Sequence, residues 1–177
     1  IDHPDVQRML MDMKSRTEAM RALSLYTASE LDLTKRASSE KIKKKAQENL
    51  DILTPIVKTW CTDQGVLIAS TGVQVHGGMG FIEETGAAQY YRDARILPIY
   101  EGTNGIQALD LLRRKLTMDD GNVFKRFLNE MKNDAEICIA IKDGELPYIG
   151  NKVIKAINIL EETADELLSM WKHNKRQ

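Results

Sequence analysis

Strand-like alternation and an excess of either charge are missing from this sequence, and cysteine is scarce. Cys61 and Cys138 are the only cysteines in 177 residues. Two thiols so far apart make neither a disulfide framework nor a metal-ligand spacing. Their apolar neighbours predict small buried side chains, and a reducing compartment is expected. The 25 Lys and Arg stand against 26 Asp and Glu, for a net charge of −1, which gives no reason to expect nucleic acid or an anionic membrane as partner. No apolar run reaches the roughly 18 residues of a membrane span, and no signal peptide is expected. Proline occurs only four times, so long helices are rarely interrupted. The chain opens Ile1-Asp2-His3-Pro4 without a methionine, which reads like the middle of something, and a fragment of a longer protein is expected.

What is present is helix former at helical spacing. Val6, Met9, Leu10, Met13, Met20 and Leu23 recur every three or four residues, one stripe on a helix. Pro4 suits its first turn, where the missing N–H would be unpaired anyway, and Asp2 or His3 is the cap. This predicts helix over about 4–35. Ser38-Ser39-Glu40 opens a second helical stretch, polar at first. Thr54-Pro55 is expected to break or kink it, because proline removes a donor and clashes with the preceding turn. Thr54 would then cap a new core helix over about 55–75. A short mixed-charge helix follows over 83–95, ended by Pro98, and helical periodicity resumes over 105–116. The composition of 117–122 predicts a linker. Two more helices are expected over about 122–142 and 148–173, with a fraying polar tail. The fold class is therefore all-α: an up-down, four-helix bundle over 1–116 and a C-terminal helical extension over 117–177.

Two glycine-containing breaks interrupt this helical pattern. In QVHGGMGF (74–81) a glycine pair directly after a helix lets backbone approach a ligand closely, and its exposed N–H groups can meet a phosphate or a ring edge; taken alone, such a terminus is more often just a helix C-cap and turn. No strand precedes it and the spacing is not GxGxxG. In IYEGTNGIQ (99–107) a single carboxylate, Glu101, sits in a break between helices, flanked by Ile99 and Ile106. Alone it could be a helix cap, but the two breaks can come together at one end of the bundle.

The pair QVHGGMGF and YRDARILPIYEGTNGIQ (91–107) resembles the C-terminal helical domain of the acyl-CoA dehydrogenases, from about His3 to Leu116, with family order and spacing. The YEGTNGIQALDL form looks most like the 3-methylmercaptopropionyl-CoA dehydrogenase-like branch, whose members also carry a C-terminal extension. The resemblance implies α,β-dehydrogenation of an acyl-CoA thioester, with Glu101 as the base that takes the α-proton. A dry site would make this carboxylate a better acceptor. It further implies that the Glu101 backbone N–H and a hydroxyl of the flavin ribityl chain support the thioester oxygen, one such donor being worth roughly 3 kcal/mol in other enzymes. Gly102 permits close approach and Tyr100 lies near the substrate. Thr103, Asn104 and Gly105 lie against FAD. Gln74, Val75, His76, Gly77 and Gly78 meet its adenine end from a neighbouring subunit. Arg92 and Asp93 match a frequent pair, read as structural.

The resemblance also implies a homodimer or homotetramer built on bundle faces, electron-transferring flavoprotein as acceptor, and the bacterial cytoplasm or mitochondrial matrix as location. No metal is expected. The family's N-terminal helical and middle β domains are not in this sequence, so the chain alone is expected to carry no FAD and to catalyse nothing. An acyl-CoA oxidase uses the same base and passes electrons to oxygen. A helical interaction module without chemistry is the reading from another class.

Overall fold

The computed structural model describes residues 2–141 and 144–174, and the chain divides into two compact units, Ile1–Leu111 and Leu112–Gln177. In the first, helix α1 (Pro4–Arg36) begins as the sequence predicts: Pro4 fills the first turn, and His3 Nδ1 accepts from the Asp5 N–H at 3.3 Å. A short link leads into α2 (Glu40–Val75). The two helices are antiparallel. Glu30 meets Asn49, Ser24 meets Cys61 and Arg16 meets Gln64, so positions fall along one helix as they climb along the other.

The expected break at Thr54-Pro55 does not occur. α2 runs through both residues, and the Thr54 hydroxyl donates back to the Leu50 carbonyl at 2.7 Å instead of capping a new helix. A proline inside a helix costs about 3 kcal/mol locally. Here its ring is fully buried with Ile52 in the core, and burial of that apolar surface offsets the local cost.

Glu30 and Asn49 are the polar side chains buried in this unit among the described residues, and Asn49 Nδ2 donates to Glu30 Oε1 at 3.2 Å. Asn49→Ala should lower the unfolding free energy by roughly 2–3 kcal/mol, because it leaves a buried carboxylate without its donor. Replacing both residues by Leu should recover most of that loss, since removing both partners can be nearly neutral. Urea denaturation of the single and double variants checks both outcomes.

Three short helices complete the unit: α3 (Gly78–Phe81), α4 (Ala87–Ala94) and α5 (Asn104–Asp110), each packed on α2. The bundle thus has two long helices with α4 and α5 as short ones, where the sequence suggested more long helices. The segment expected as one helix over 83–95 is two pieces, a 3-10 turn at Glu83–Thr85 and α4, separated by Gly86 at φ 77°. Arg92 forks onto Glu83 at 3.0 and 3.1 Å and ties the pieces together. That hydrogen-bonded guanidinium, and then its charge, hold the Glu83 carboxyl below the usual carboxylate value. Gln89 joins Arg92 to Asp93, its Nε2 donating to Asp93 Oδ1 at 2.8 Å and its Oε1 accepting from Arg92 Nη2 at 2.9 Å. After α5 the chain winds as a π-helix over Leu111–Lys115.

In the second unit, α6 (Asn122–Ala140) packs along α7 (Leu146–Asn174). The helices cross closely at Gly150, where a Cβ would lie 2.7 Å from the Ala135 carbonyl oxygen. The stretch read as a linker is an ordered turn. Asp119, Asp120 and Gly121 take φ of 49°, 55° and 95°, and Gly121 lies where a Cβ would meet Leu168 Cδ1 at 2.5 Å. Residue 142, expected to end α6, and residues 175–177 of the expected fraying tail lie outside the described residues.

Among the described residues there is no strand, and the all-α expectation holds. No helix there is long and apolar enough to cross a membrane, and no three His, Cys, Asp or Glu side chains gather as metal ligands. Cys61 and Cys138 are free and half-buried, less sequestered than their neighbours in sequence suggested.

Candidate functional site

α4 ends in successive turns. Leu97 N–H donates to Ala94 O at 3.2 Å, and Tyr100 N–H to Ile96 O at 3.1 Å. The next bond spans the break: Asn104 N–H donates to Pro98 O at 3.0 Å, closing a loop over Ile99–Thr103. Within it Glu101 has φ 51° and Gly102 φ 85°. Left-handed backbone suits Gly102 and is uncommon for a residue with a Cβ, so something must hold Glu101 there. Thr103 does so on one side, as the N-cap of α5, its Oγ1 accepting from the Ile106 N–H at 3.3 Å.

Asn104 does so on the other. Its Nδ2 donates to Asp63 Oδ1 at 2.7 Å and to Thr62 Oγ1 at 3.0 Å, and its Oδ1 accepts from Lys58 Nζ at 2.8 Å, all on α2. Asn104 is thus a peg that seats the loop on α2, a role the sequence did not reveal because its partners lie some forty residues away. Gly105 is open, with the Thr103 hydroxyl 3.8 Å from where a Cβ would be.

The Glu101 N–H donates to no acceptor among the described residues. Its side chain and that of Tyr100 are exposed. The dry surroundings expected around the carboxylate are not supplied by these residues alone.

The second break lies at the C-terminal end of α2. His76 caps the helix, and its Nδ1 is engaged with the Gly72 carbonyl at 2.8 Å. Gly77 N–H donates to the Gln74 carbonyl at 3.0 Å. Gly77 itself takes φ 60°, ψ −147°, a conformation essentially closed to residues with a Cβ. The three glycines then divide into two kinds. Around Gly77 and Gly78 a Cβ would meet nothing within 4 Å, whereas at Gly80 it would lie 2.2 Å from the Val73 carbonyl oxygen. Gly80 is demanded by packing; Gly77 and Gly78 present open backbone, with Gln74 exposed and Val75 half-buried beside them.

The two breaks do not come together at one end of the bundle. One is seated on α2 at Lys58–Asp63 and the other leaves it at His76, about 20 Å further along a helix that rises 1.5 Å per residue. Near the glycine segment a cleft of about 440 Å³ opens between α1, α2 and α4, lined by Met13, Ile68, Ala69, Gly72, His76 and Tyr90. Its signal in the sequence is the small-residue series Gly65, Ala69, Gly72 on one face of α2, which was not recognised there.

Sequence comparison matches residues 1–116 to the family described as Acyl-CoA dehydrogenase, C-terminal domain. The chain belongs to that family. It is 53% identical over 146 residues to a Ruegeria pomeroyi protein named 3-methylmercaptopropionyl-CoA dehydrogenase, a match covering 82% of this chain and 23% of that one. It is 40% identical over 131 residues to a butyryl-CoA dehydrogenase of Syntrophomonas wolfei, covering 74% of this chain and 22% of the relative. Among solved structures, Bd2924 in its apo form matches with a TM-score of 0.67 and 25% identity, over 95% of this chain and 34% of its own. The resemblance to the acyl-CoA dehydrogenases carried by the two motifs is thereby established, as is the likeness to the 3-methylmercaptopropionyl-CoA branch. The chain spans less than a quarter of the length of those two relatives.

Proposed function

We propose that this chain is the C-terminal part of an FAD-dependent acyl-CoA dehydrogenase, and that Glu101 removes the α-proton of the acyl-CoA thioester. The observation that carries the reading is the left-handed Glu101 in a loop closed onto Pro98 and pegged to α2 by Asn104. A residue held against its backbone preference by surrounding bonds points to a use for that strain. The use would be to aim the carboxylate away from the helix stack while leaving the Glu101 N–H free to donate to the thioester oxygen as enolate character builds. Gly102 keeps the loop thin beside the substrate, and Tyr100 flanks it.

The residues present fit FAD at two places. Gly77 and Gly78 offer backbone with no neighbour within 4 Å of a Cβ position, suited with Gln74, Val75 and His76 to an adenine end. Thr103, Asn104 and Gly105 would lie beside the flavin near Glu101. Because these places are anchored about 20 Å apart on α2, the pairing of one subunit's glycine segment with a neighbour's Glu101 loop, in a homodimer or homotetramer, accounts for both. FAD held there would supply the acceptor for the β-hydride, and electron-transferring flavoprotein would then receive the electrons. The remaining length of the enzyme would dry the site around Glu101 and cover exposed apolar residues such as Phe81, 83% exposed. We place the boundary of the catalytic bundle at about residue 116 and assign 117–177 to an extension. The bacterial cytoplasm or mitochondrial matrix suits such an enzyme.

The test is an anaerobic titration of the full-length protein with saturated acyl-CoA thioesters. Bleaching of a bound flavin, without peroxide when air is admitted, is the expected result. Peroxide in stoichiometric yield would assign an oxidase, and a colourless protein would overturn the reading.

A further inference from the structure

The second unit contains a helix with two working faces. Toward α6, α7 buries Gly150, Ile157, Ala164 and Leu168, spaced by seven, seven and four. A second series runs beside it at alternating steps of three and four: Leu146, Ile149, Val153, Ala156, Leu160, and on through Thr163 and Leu167 to Met170. Every member of this series is exposed, the large ones by 36–58%. At 3.6 residues per turn the two series lie about a quarter-turn apart. That is how a helix inside a bundle meets two different neighbours, and α7 has one of them in its own unit. A heptad seam of more than three repeats needs a helical partner.

The seam is its own complement when reversed. Antiparallel to a second α7, it aligns Leu146 with Met170, Ile149 with Leu167, Val153 with Thr163 and Ala156 with Leu160, large against small near the centre. The solvent-side flank is complementary too. Lys152 and Lys155 lie in its N-terminal half and Glu162 and Glu166 in its C-terminal half, all exposed. Reversal brings Lys152 opposite Glu166 and Lys155 opposite Glu162. At the centre of that flank stands Ile159, 57% exposed, which reversal places against itself.

We propose that α7 pairs with α7 of a second copy of this chain as an antiparallel coiled coil, with a two-fold axis beside Ile159. Such an interface is isologous, so every contact occurs twice, and the two α6–α7 pairs then form one four-helix unit. A parallel pairing would instead set this flank against the partner's side that bears Gly150, Ile157 and Ala164, which α6 already covers, so Lys152 and Glu166 would find no complement there. The inference does not rest on the proposed reaction.

The test uses the 177-residue chain with Cys61 and Cys138 replaced by Ser. Ile159→Cys should form a disulfide-linked dimer under mild oxidation roughly tenfold faster than Asn158→Cys, because the paired helices hold the two thiols at a high effective concentration. Lys152→Glu in that background should slow the cross-link several-fold, Glu166→Lys should do the same, and the two together should restore it. Residues 152 and 166 are about 20 Å apart on one helix, so rescue can come only through another copy. Circular dichroism confirms that each variant folds. Equal rates at positions 158 and 159, a charge pair that does not rescue, or faster cross-linking through Leu160→Cys, as a parallel seam would give, overturns the proposal.

Discussion

Glu101→Gln in the full-length enzyme should slow substrate-driven flavin bleaching by roughly 10³-fold or more, within the range lost when a general base is removed. Gln keeps the size of the side chain and the backbone N–H, and the strained turn has independent supports in the Thr103 cap and the Asn104 peg. Flavin should therefore still bind, since Gly77, Gly78 and Thr103 are untouched. Acyl-CoA should bind as well or better, because a carboxylate beside an apolar acyl chain carries a desolvation cost that an amide does not. A fall in the reduction rate with an unchanged Kd is the signature of an interaction made at the transition state. Stopped-flow absorbance gives the rate. Should the variant reduce flavin within about tenfold of the parent, Glu101 is not the base.

Gly80→Ala should have the largest effect on stability. The new methyl carbon would sit 2.2 Å from the Val73 carbonyl oxygen and 2.9 Å from His76 Cβ. Neither is the far end of a flexible side chain, so the turn after α2 must open to admit it. Overpacking of this kind costs about 3 kcal/mol, which for a unit of this size lowers the thermal midpoint by about 10–20 °C. Gly78→Ala is the matched control. Nothing lies within 4 Å of its Cβ position, and its stability should change by no more than about 0.5 kcal/mol. Scanning calorimetry separates the two. Equal destabilisation would mean that Gly78, like Gly80, serves the turn.

The sequence made the helices of the bundle and the two breaks legible for different reasons. Apolar spacing of three and four writes helices directly, and Gly77-Gly78 and Glu101-Gly102 stand out because they interrupt that spacing. What stayed hidden depended on residues distant in the chain. Pro55 reads as a helix breaker until its burial with Ile52 is known. Asn104 reads only as a ligand contact in the letters, and its seating on Lys58, Thr62 and Asp63 shows once the fold brings them around it. The turn at Asp119-Asp120-Gly121 reads as a linker because composition does not reveal that Leu168 packs against it. The seam on α7 was present in the letters, but a periodic stripe says only that one face is apolar. It takes the structure to show that α6 covers a different one.

The role of α2 as common support has a consequence for how the first unit comes apart. α1, α3, α4 and α5 each pack on α2. Loss of α1 or of the α4–α5 segment is therefore a partial opening that leaves the others a surface to rest on. Loss of α2 leaves none of them a partner of comparable extent. The amides at the centre of α2, around Ile52, are then released only by global unfolding, while the segment bearing Glu101 can open and reclose many times on an intact support. Access to the Glu101 loop and survival of the fold are in this way set by different equilibria.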